Sequence, residues 1–365
     1  MNAVLQECRL CRNTGPHQSL AVREMMFGTR EQFQYYSCAA CDTLQIRSAL
    51  SGEELGRHYP ADYYSYETSQ QPKFLRWLTT QYDRRELRTG GRFFGSVIAA
   101  LPTGVRLALG DAVRAVGQCG FGRDARILDV GCGSGALLDR LSRAGFTNLS
   151  GADPFLARDC TTPEGVLLLK SHLHAVTGSF DLIMFNHSLE HVPDPVATLK
   201  DAREKLSAGG ICLVRLPTTS SEAWTTYGPD WFQIDAPRHV VIPSRQGMAL
   251  AADAVGLRVD RTSDDSSVAQ FIGSEAYRRD IPLTELTSLR SLLKLFGTRR
   301  IWDWDRRAAL LNRQGRGDQT GFVLRAVPSR GSRTVTSGRS FQGSAAGAIL
   351  RHLGSEPKCW HSRGV

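Results

Sequence analysis

The run Arg126–Leu141, RILDVGCGSGALLDRL, constrains this chain more than any other, because it joins an apolar strand, a glycine turn and a helix start without interruption. Ile127, Leu128 and Val130 make the strand. Gly131, Gly133 and Gly135 let the backbone turn tightly and approach a ligand that any side chain would block, and Ser134 is placed to cap the helix. A turn of this kind belongs to an open, mainly parallel α/β sheet that binds ligands beyond the carboxyl ends of its strands. Gly131, Gly133 and Ala136 also satisfy the G-x-G-x-x-G/A pattern of dinucleotide folds, so the glycines alone do not choose the ligand.

Asp129 does. It lies two residues before the first glycine, where a pyrophosphate would pass close by, and a carboxylate there suits a cationic ligand instead. With Asp129, Gly131, Gly133 and Gly135 in this order, the segment resembles the first motif of class I methyltransferases that use S-adenosylmethionine (SAM). That resemblance implies a doubly wound, seven-stranded Rossmann-like sheet, with this loop holding the methionine end of SAM. Leu149–Asp153, LSGAD, reads as a second strand, and it ends in a carboxylate about 20 residues on, the spacing at which an acid reaches ribose hydroxyls. Gly165–Lys170, GVLLLK, is a continuous apolar run fit for a doubly covered strand. His172 and Leu173 after it are expected to border the adenine.

Phe180–Asn186, FDLIMFN, predicts a fourth strand running into HSLEHVPDP. FDxI followed by xxLEHxxxP resembles the small-molecule class I methyltransferases and puts Asn186 and His187 beside the cofactor and His191 near the methyl. The alternative for His187, Glu190 and His191 is that they only order a loop. A helix over 194–207 and a strand over 209–217 follow. The stretch 224–244 is aromatic, rich in turn residues and too polar for core, so it reads as a substrate-side loop. Its Trp231, Asp235, Pro237 and His239 resemble a W-x-x-x-D-x-P-x-H pattern of similar methyltransferases. His239 is the candidate base, with Asp235 to orient its ring, or else it simply fixes the loop. A helix over 245–255, a strand from 256, inserted helices within 282–316 and an antiparallel last strand over 321–327 complete the expected domain, 121–327. The inserted helices could be a lid or an ordinary packed pair.

At the amino end Cys8 and Cys11, and Cys38 and Cys41, form two C-x-x-C pairs at zinc-ribbon spacing. Four thiolates leave a zinc ion no open position, so the metal is expected to be structural and to stabilise residues 1–56, too few to fold on an apolar core alone. The module resembles the ribbons of bacterial sugar methyltransferases. Those include C-methyltransferases whose further carboxyl-terminal domain is not matched here, so their ketosugar chemistry does not carry over. Residues 57–120 read as a tyrosine-rich segment and a helical connector broken at Gly90 and Gly91.

The net charge is +9, of which the tail 328–365 supplies +5, with six Lys or Arg against one Glu. That tail is rich in Ser and Gly and reads as disordered. Positive charge with a ribbon would suit nucleic acid. However, HSLEH stands where base methylation would need an N-P-P-Y-type motif, and no basic patch is interleaved with stacking aromatics. No apolar run reaches membrane-spanning length, no secretory signal is evident, and zinc-spaced thiols without other paired cysteines point to the cytoplasm. The expected activity is methyl transfer to oxygen or carbon of a small-molecule or glycan-linked acceptor in bacterial-type biosynthesis. Nucleic-acid or protein methylation, and a non-catalytic SAM-fold binding subunit, are the alternatives.

Overall fold

The computed structural model describes residues 3–48, 50, 51, 54, 56–58, 72–99, 112–286 and 288–327. The tyrosine cluster of residues 59–66 and the basic tail therefore lie outside the described residues. In chain order the elements are β1 (Ala3–Val4), β2 (His17–Arg23), β3 (Gln32–Ser37), β4 (Leu44–Ile46), α1 (Lys73–Glu86), α2 (Arg92–Ala99), α3 (Ala112–Cys119), β5 (Arg126–Val130), α4 (Ala136–Ala144), β6 (Asn148–Ala152), β7 (Cys160–Thr161), β8 (Leu167–Leu169), β9 (Phe180–Asn186), α5 (Pro195–Lys205), β10 (Leu206–Pro217), α6 (Glu222–Tyr227), β11 (Val241–Ile242), α7 (Arg245–Ala254), β12 (Leu257–Asp264), α8 (Ala269–Arg278), α9 (Leu289–Phe296), α10 (Thr298–Arg313) and β13 (Gln319–Ala326).

The large sheet has the order β12-β13-β10-β9-β5-β6-β8-β7. From β10 to β8 every pairing is parallel, and β13 is antiparallel to both β10 and β12. Period two sets the two faces: on β9, Leu182 and Met184 join one core cluster and Ile183 and Phe185 the other, so the strand is apolar from Leu182 to Phe185. The sheet has eight strands where seven were expected. The extra strand, β7, has only two residues and pairs antiparallel to β8, too short to give a periodic signal. Ser134 does not cap α4; the cap position is Gly135, left-handed at φ 76° and without a side-chain hydrogen bond.

Gly90 and Gly91, both at positive φ, separate α1 from α2 as expected. Asp194 caps α5 by accepting from Ala197 N, and Ser244 caps α7 by accepting from Gly247 N. The insertion before β13 holds α9 and α10, and α8 precedes it, a helix the periodicity did not single out. These helices pack on one another: Phe271 and Phe296 lie against Trp304, at ring-centroid distances of 5.9 and 5.2 Å.

The amino-terminal sheet is β1-β2-β3-β4-β11, so its fifth strand comes from the stretch 224–244 of the larger domain. Ser244 Oγ donates to the Cys41 carbonyl, and Thr219 Oγ1 donates to the Asp42 carbonyl at 2.7 Å. That stretch was expected to be too polar for core. Instead Trp231, Ile234, Ala236 and Val240 are buried in the same core cluster as Cys8, Leu44 and Phe271. Cys160 is disulfide-bonded, which its lone position in the sequence did not suggest. No helix among the described residues is long and apolar enough to cross a membrane.

Candidate functional site

β5 and β9 lie side by side, so the glycine turn after Val130 and the loop after Asn186 meet above the same strand ends. Ser188 Oγ donates to the Val130 carbonyl at 2.6 Å. A Cβ on Gly131 would sit 2.4 Å from the Ser188 Cβ, and one on Gly135 would sit 2.6 Å from Thr162 Cγ2. The turn is thus sealed beneath by packing that only glycine permits. At its edge Asp153, just beyond β6, accepts from Gly133 N at 3.0 Å and from Phe155 N at 2.9 Å. Two oxygens with two bonds taken leave further lone pairs for hydroxyl groups.

Asp129 is buried, and its Oδ1 has no hydrogen-bond partner among the described residues. Burial, reinforced by the nearby Asp153 charge, pushes its pKa up to about 8. A buried carboxylate without a partner is costly, and a cationic ligand relieves that cost. The residues therefore fit SAM: Asp129 would face its positive group, the glycines would admit the methionine end close to the backbone, and Asp153 would offer acceptors to hydroxyls.

Other expected ligands are placed unevenly. His172 is exposed at the start of a 3-10 turn in which Leu173 is buried. Asn186 Oδ1 accepts from Arg215. His187 is left-handed at φ 53°, donates its backbone N–H to the Arg215 carbonyl at 2.9 Å, and brings Nδ1 within 3.3 Å of Glu190 Oε1.

His191 and His239, far apart in sequence, are in edge contact, with ring centroids 4.7 Å apart. Each ring is oriented through Nδ1, which donates to a carbonyl: that of Arg238 at 2.9 Å for His191 and that of Gln233 at 2.7 Å for His239. Asp235 was expected to orient His239. It pairs with Arg238 instead, at 2.6 Å, and leaves its Oδ2 3.9 Å from His239 Nε2. Burial, with the His191 charge beside it, pushes the His239 pKa down to about 4, so the imidazole is neutral near pH 7.

Glu190 is the residue whose part the sequence left undecided between chemistry and loop packing. It is fully buried, 4.0 Å from His239 Nε2, and neither of its oxygens has a hydrogen-bond partner among the described residues. Burial opposes its charge, yet the neighbouring imidazoles of His187, His191 and His239 bring its pKa to about 2.

The four amino-terminal cysteines converge, with Sγ atoms within 4.8 Å of one another and the closest pairs 3.6 and 3.7 Å apart. Tetrahedral zinc with Zn–S near 2.3 Å requires S–S spacings of about 3.8 Å, so the cluster fits a zinc ion. Gln45 Nε2 donates to Cys8 Sγ at 3.0 Å, the kind of outer contact that orients a ligating thiolate.

Residues 105–262 match the family model of a methyltransferase domain. The chain is 32% identical over 114 residues to a protein of Sodalis glossinidius named ubiquinone biosynthesis O-methyltransferase, covering 28% of this chain and 45% of that protein. A protein of the same name from Parvibaculum lavamentivorans is 34% identical over 107 residues, covering 25% and 40%. The chain thus spans less than half the length of these curated relatives. Among solved structures, a mycolic acid cyclopropane synthase complexed with SAH (S-adenosylhomocysteine) and CTAB aligns with 61% of this chain and 84% of its own, at 18% identity and a TM-score of 0.39.

Proposed function

Residues 105–262 are a methyltransferase domain, and from that premise we propose that the chain transfers the methyl group of SAM to an oxygen of a small-molecule or glycan-linked acceptor. The observation that carries this reading is Asp129, a buried carboxylate with an unpartnered oxygen beside a turn in which Gly131 and Gly135 leave no room for a side chain. The name of the curated relatives, O-methyltransferase, supports oxygen over carbon.

The sulfonium supplies an electrophilic methyl group, so the chain's task is to hold, align and deprotonate. Asp129 and Asp153 bind the cofactor's cationic and hydroxyl ends. Glu190, His191 and His239 form the polar cluster that faces the acceptor and takes charge of its proton. Asn186, His187, His172 and Leu173 complete the proposed cofactor border. Cys8, Cys11, Cys38 and Cys41 hold one structural zinc ion.

Calorimetry tests the cofactor: SAM and S-adenosylhomocysteine bind and NADH does not, and the reverse result would end the proposal. A positioned proton acceptor typically contributes about 10²- to 10⁴-fold. His239→Ala is therefore expected to lower S-adenosylhomocysteine production by at least about 10²-fold while S-adenosylhomocysteine affinity changes little. Unchanged production in both His239→Ala and His191→Ala would remove the histidines from the chemistry.

A further inference from the structure

Glu190 is the buried member of a cluster of possible metal ligands. Its carboxyl has no exposed surface, and neither oxygen has a hydrogen-bond partner among the described residues. Such burial is costly unless a positive charge offsets it. His187 Nδ1 lies 3.3 Å from Glu190 Oε1, and His239 Nε2 lies 4.0 Å from it. One oxygen of Glu190 and one ring nitrogen each of His191 and His239 lie within 4.8 Å of one another.

The orientation of the rings is the second observation. Both imidazoles commit Nδ1–H to a backbone carbonyl. In that tautomer Nε2 carries the lone pair, and a carbonyl bonded behind the ring is the arrangement that commonly fixes a metal-ligating histidine. The carbonyl behind His191 belongs to Arg238, whose fully buried guanidinium is held by Asp235, Glu24 and the His58 carbonyl, so its position is fixed from three sides. Asp235, engaged by Arg238, is already spent as a partner and is not needed as a ligand.

We propose that Glu190, His191 and His239 bind a divalent transition-metal ion, at a site separate from the four cysteines. Two imidazoles and one carboxylate suit a borderline ion such as Zn²⁺, and three protein ligands leave a coordination position open. Metal–ligand distances of about 2.0–2.2 Å put tetrahedral donors about 3.4 Å apart, so closing the cluster on an ion needs side-chain movements of about an ångström. The ion binds whether or not the chain transfers methyl groups, and only its role rests on that reading. In that role it takes the acceptor's hydroxyl oxygen as a ligand and acidifies it, and the proton leaves to solvent. The alkoxide or phenolate oxygen then forms its bond to the methyl as the bond from methyl to sulfur breaks, and S-adenosylhomocysteine departs.

The test uses the full chain, stripped by chelator and titrated with Co²⁺, with weakly bound metal removed by gel filtration. Thiolate-to-cobalt charge transfer reports the cysteine site, and visible bands without charge transfer report a nitrogen and oxygen site. Wild type is expected to retain two equivalents. Glu190→Gln and His239→Gln should each retain one, with the thiolate band intact. Should Glu190→Gln fail to fold, His191→Asn gives the same readout. Wild type saturating with the thiolate band alone, or Glu190→Gln keeping both equivalents, would overturn the site. Calorimetry with S-adenosylhomocysteine on the same samples separates the two ideas, because loss of that binding with two cobalt equivalents retained overturns methyl transfer and leaves the metal site standing.

Discussion

Gly131 shows how one residue can be required twice. Its φ of +74° disfavours any side chain, and a Cβ would also strike Ser188. A left-handed non-glycine residue costs about 1–3 kcal/mol where the surroundings enforce it. Gly131→Ala is therefore expected to lower unfolding free energy by at least that range and to weaken S-adenosylhomocysteine binding. Adding Ser188→Gly, which removes the struck atoms but not the strained φ, should recover part of the loss in denaturant titrations. No recovery would mean that the clash is relieved elsewhere.

Asp129 makes a second prediction at the same scale. Its folded pKa, about 8, lies above the ordinary 3.8, so between those values the folded chain keeps a proton that the unfolded chain has lost. This group's contribution to stability therefore falls as pH rises through that window. A cationic ligand prefers the ionised carboxylate, so below pH 8 binding must expel the proton. S-adenosylhomocysteine affinity should rise by up to about tenfold per pH unit between 6 and 8, and Asp129→Asn should flatten that profile. A flat profile in wild type would mean that Asp129 is ionised before the ligand arrives.

At the scale of elements, the amino-terminal sheet reaches into the site. Tyr35 on β3 donates its hydroxyl to the His239 carbonyl at 2.8 Å, and β4 pairs with β11 just after that histidine. Tyr35→Phe leaves a buried carbonyl unpaired, which costs about 1–3 kcal/mol. The expected result is a stability loss of that size with turnover falling more than S-adenosylhomocysteine affinity, since the glycine turn lies on other strands. Equal losses in both would make the effect general loosening.

Strands β5, β9 and β10 were legible because buried parallel strands carry apolar runs, β6 because it ends in an acid at a set distance from the glycine turn, and both C-x-x-C pairs from their spacing. What escaped was set by tertiary contact. The stretch around Trp231 looked polar, yet it is core because Asp318 accepts from Trp231 Nε1 at 3.2 Å and Arg238 satisfies Asp235. Glu190 stands in the LEH motif, but only folding brings His239 to it.

On the scale of the whole molecule, the question is whether ribbon and methyltransferase domain unfold separately. The division at residue 56, drawn from the two C-x-x-C pairs, suggests two units. Arg238 argues against this, because its guanidinium, with no exposed surface, bonds Asp235 at 2.6 Å within the larger domain and Glu24 at 3.0 Å on the ribbon, and also donates to the His58 carbonyl at 3.0 Å. Glu24 in turn accepts from Phe27 N and Thr29 N, so one carboxylate shapes a ribbon turn and anchors the ribbon to the site loop. Removing one member of such a buried set strands the others and costs about 3–5 kcal/mol, whereas removing both ends together costs less. Urea unfolding followed by near-ultraviolet circular dichroism and by release of the cysteine-bound metal should therefore give coincident transitions. Arg238→Met should lower the midpoint sharply, and Glu24→Gln combined with Arg238→Met should fall by less than the two single losses added together. If metal release precedes the main transition in wild type, the ribbon is an independent unit and Arg238 only orients the carbonyl behind His191.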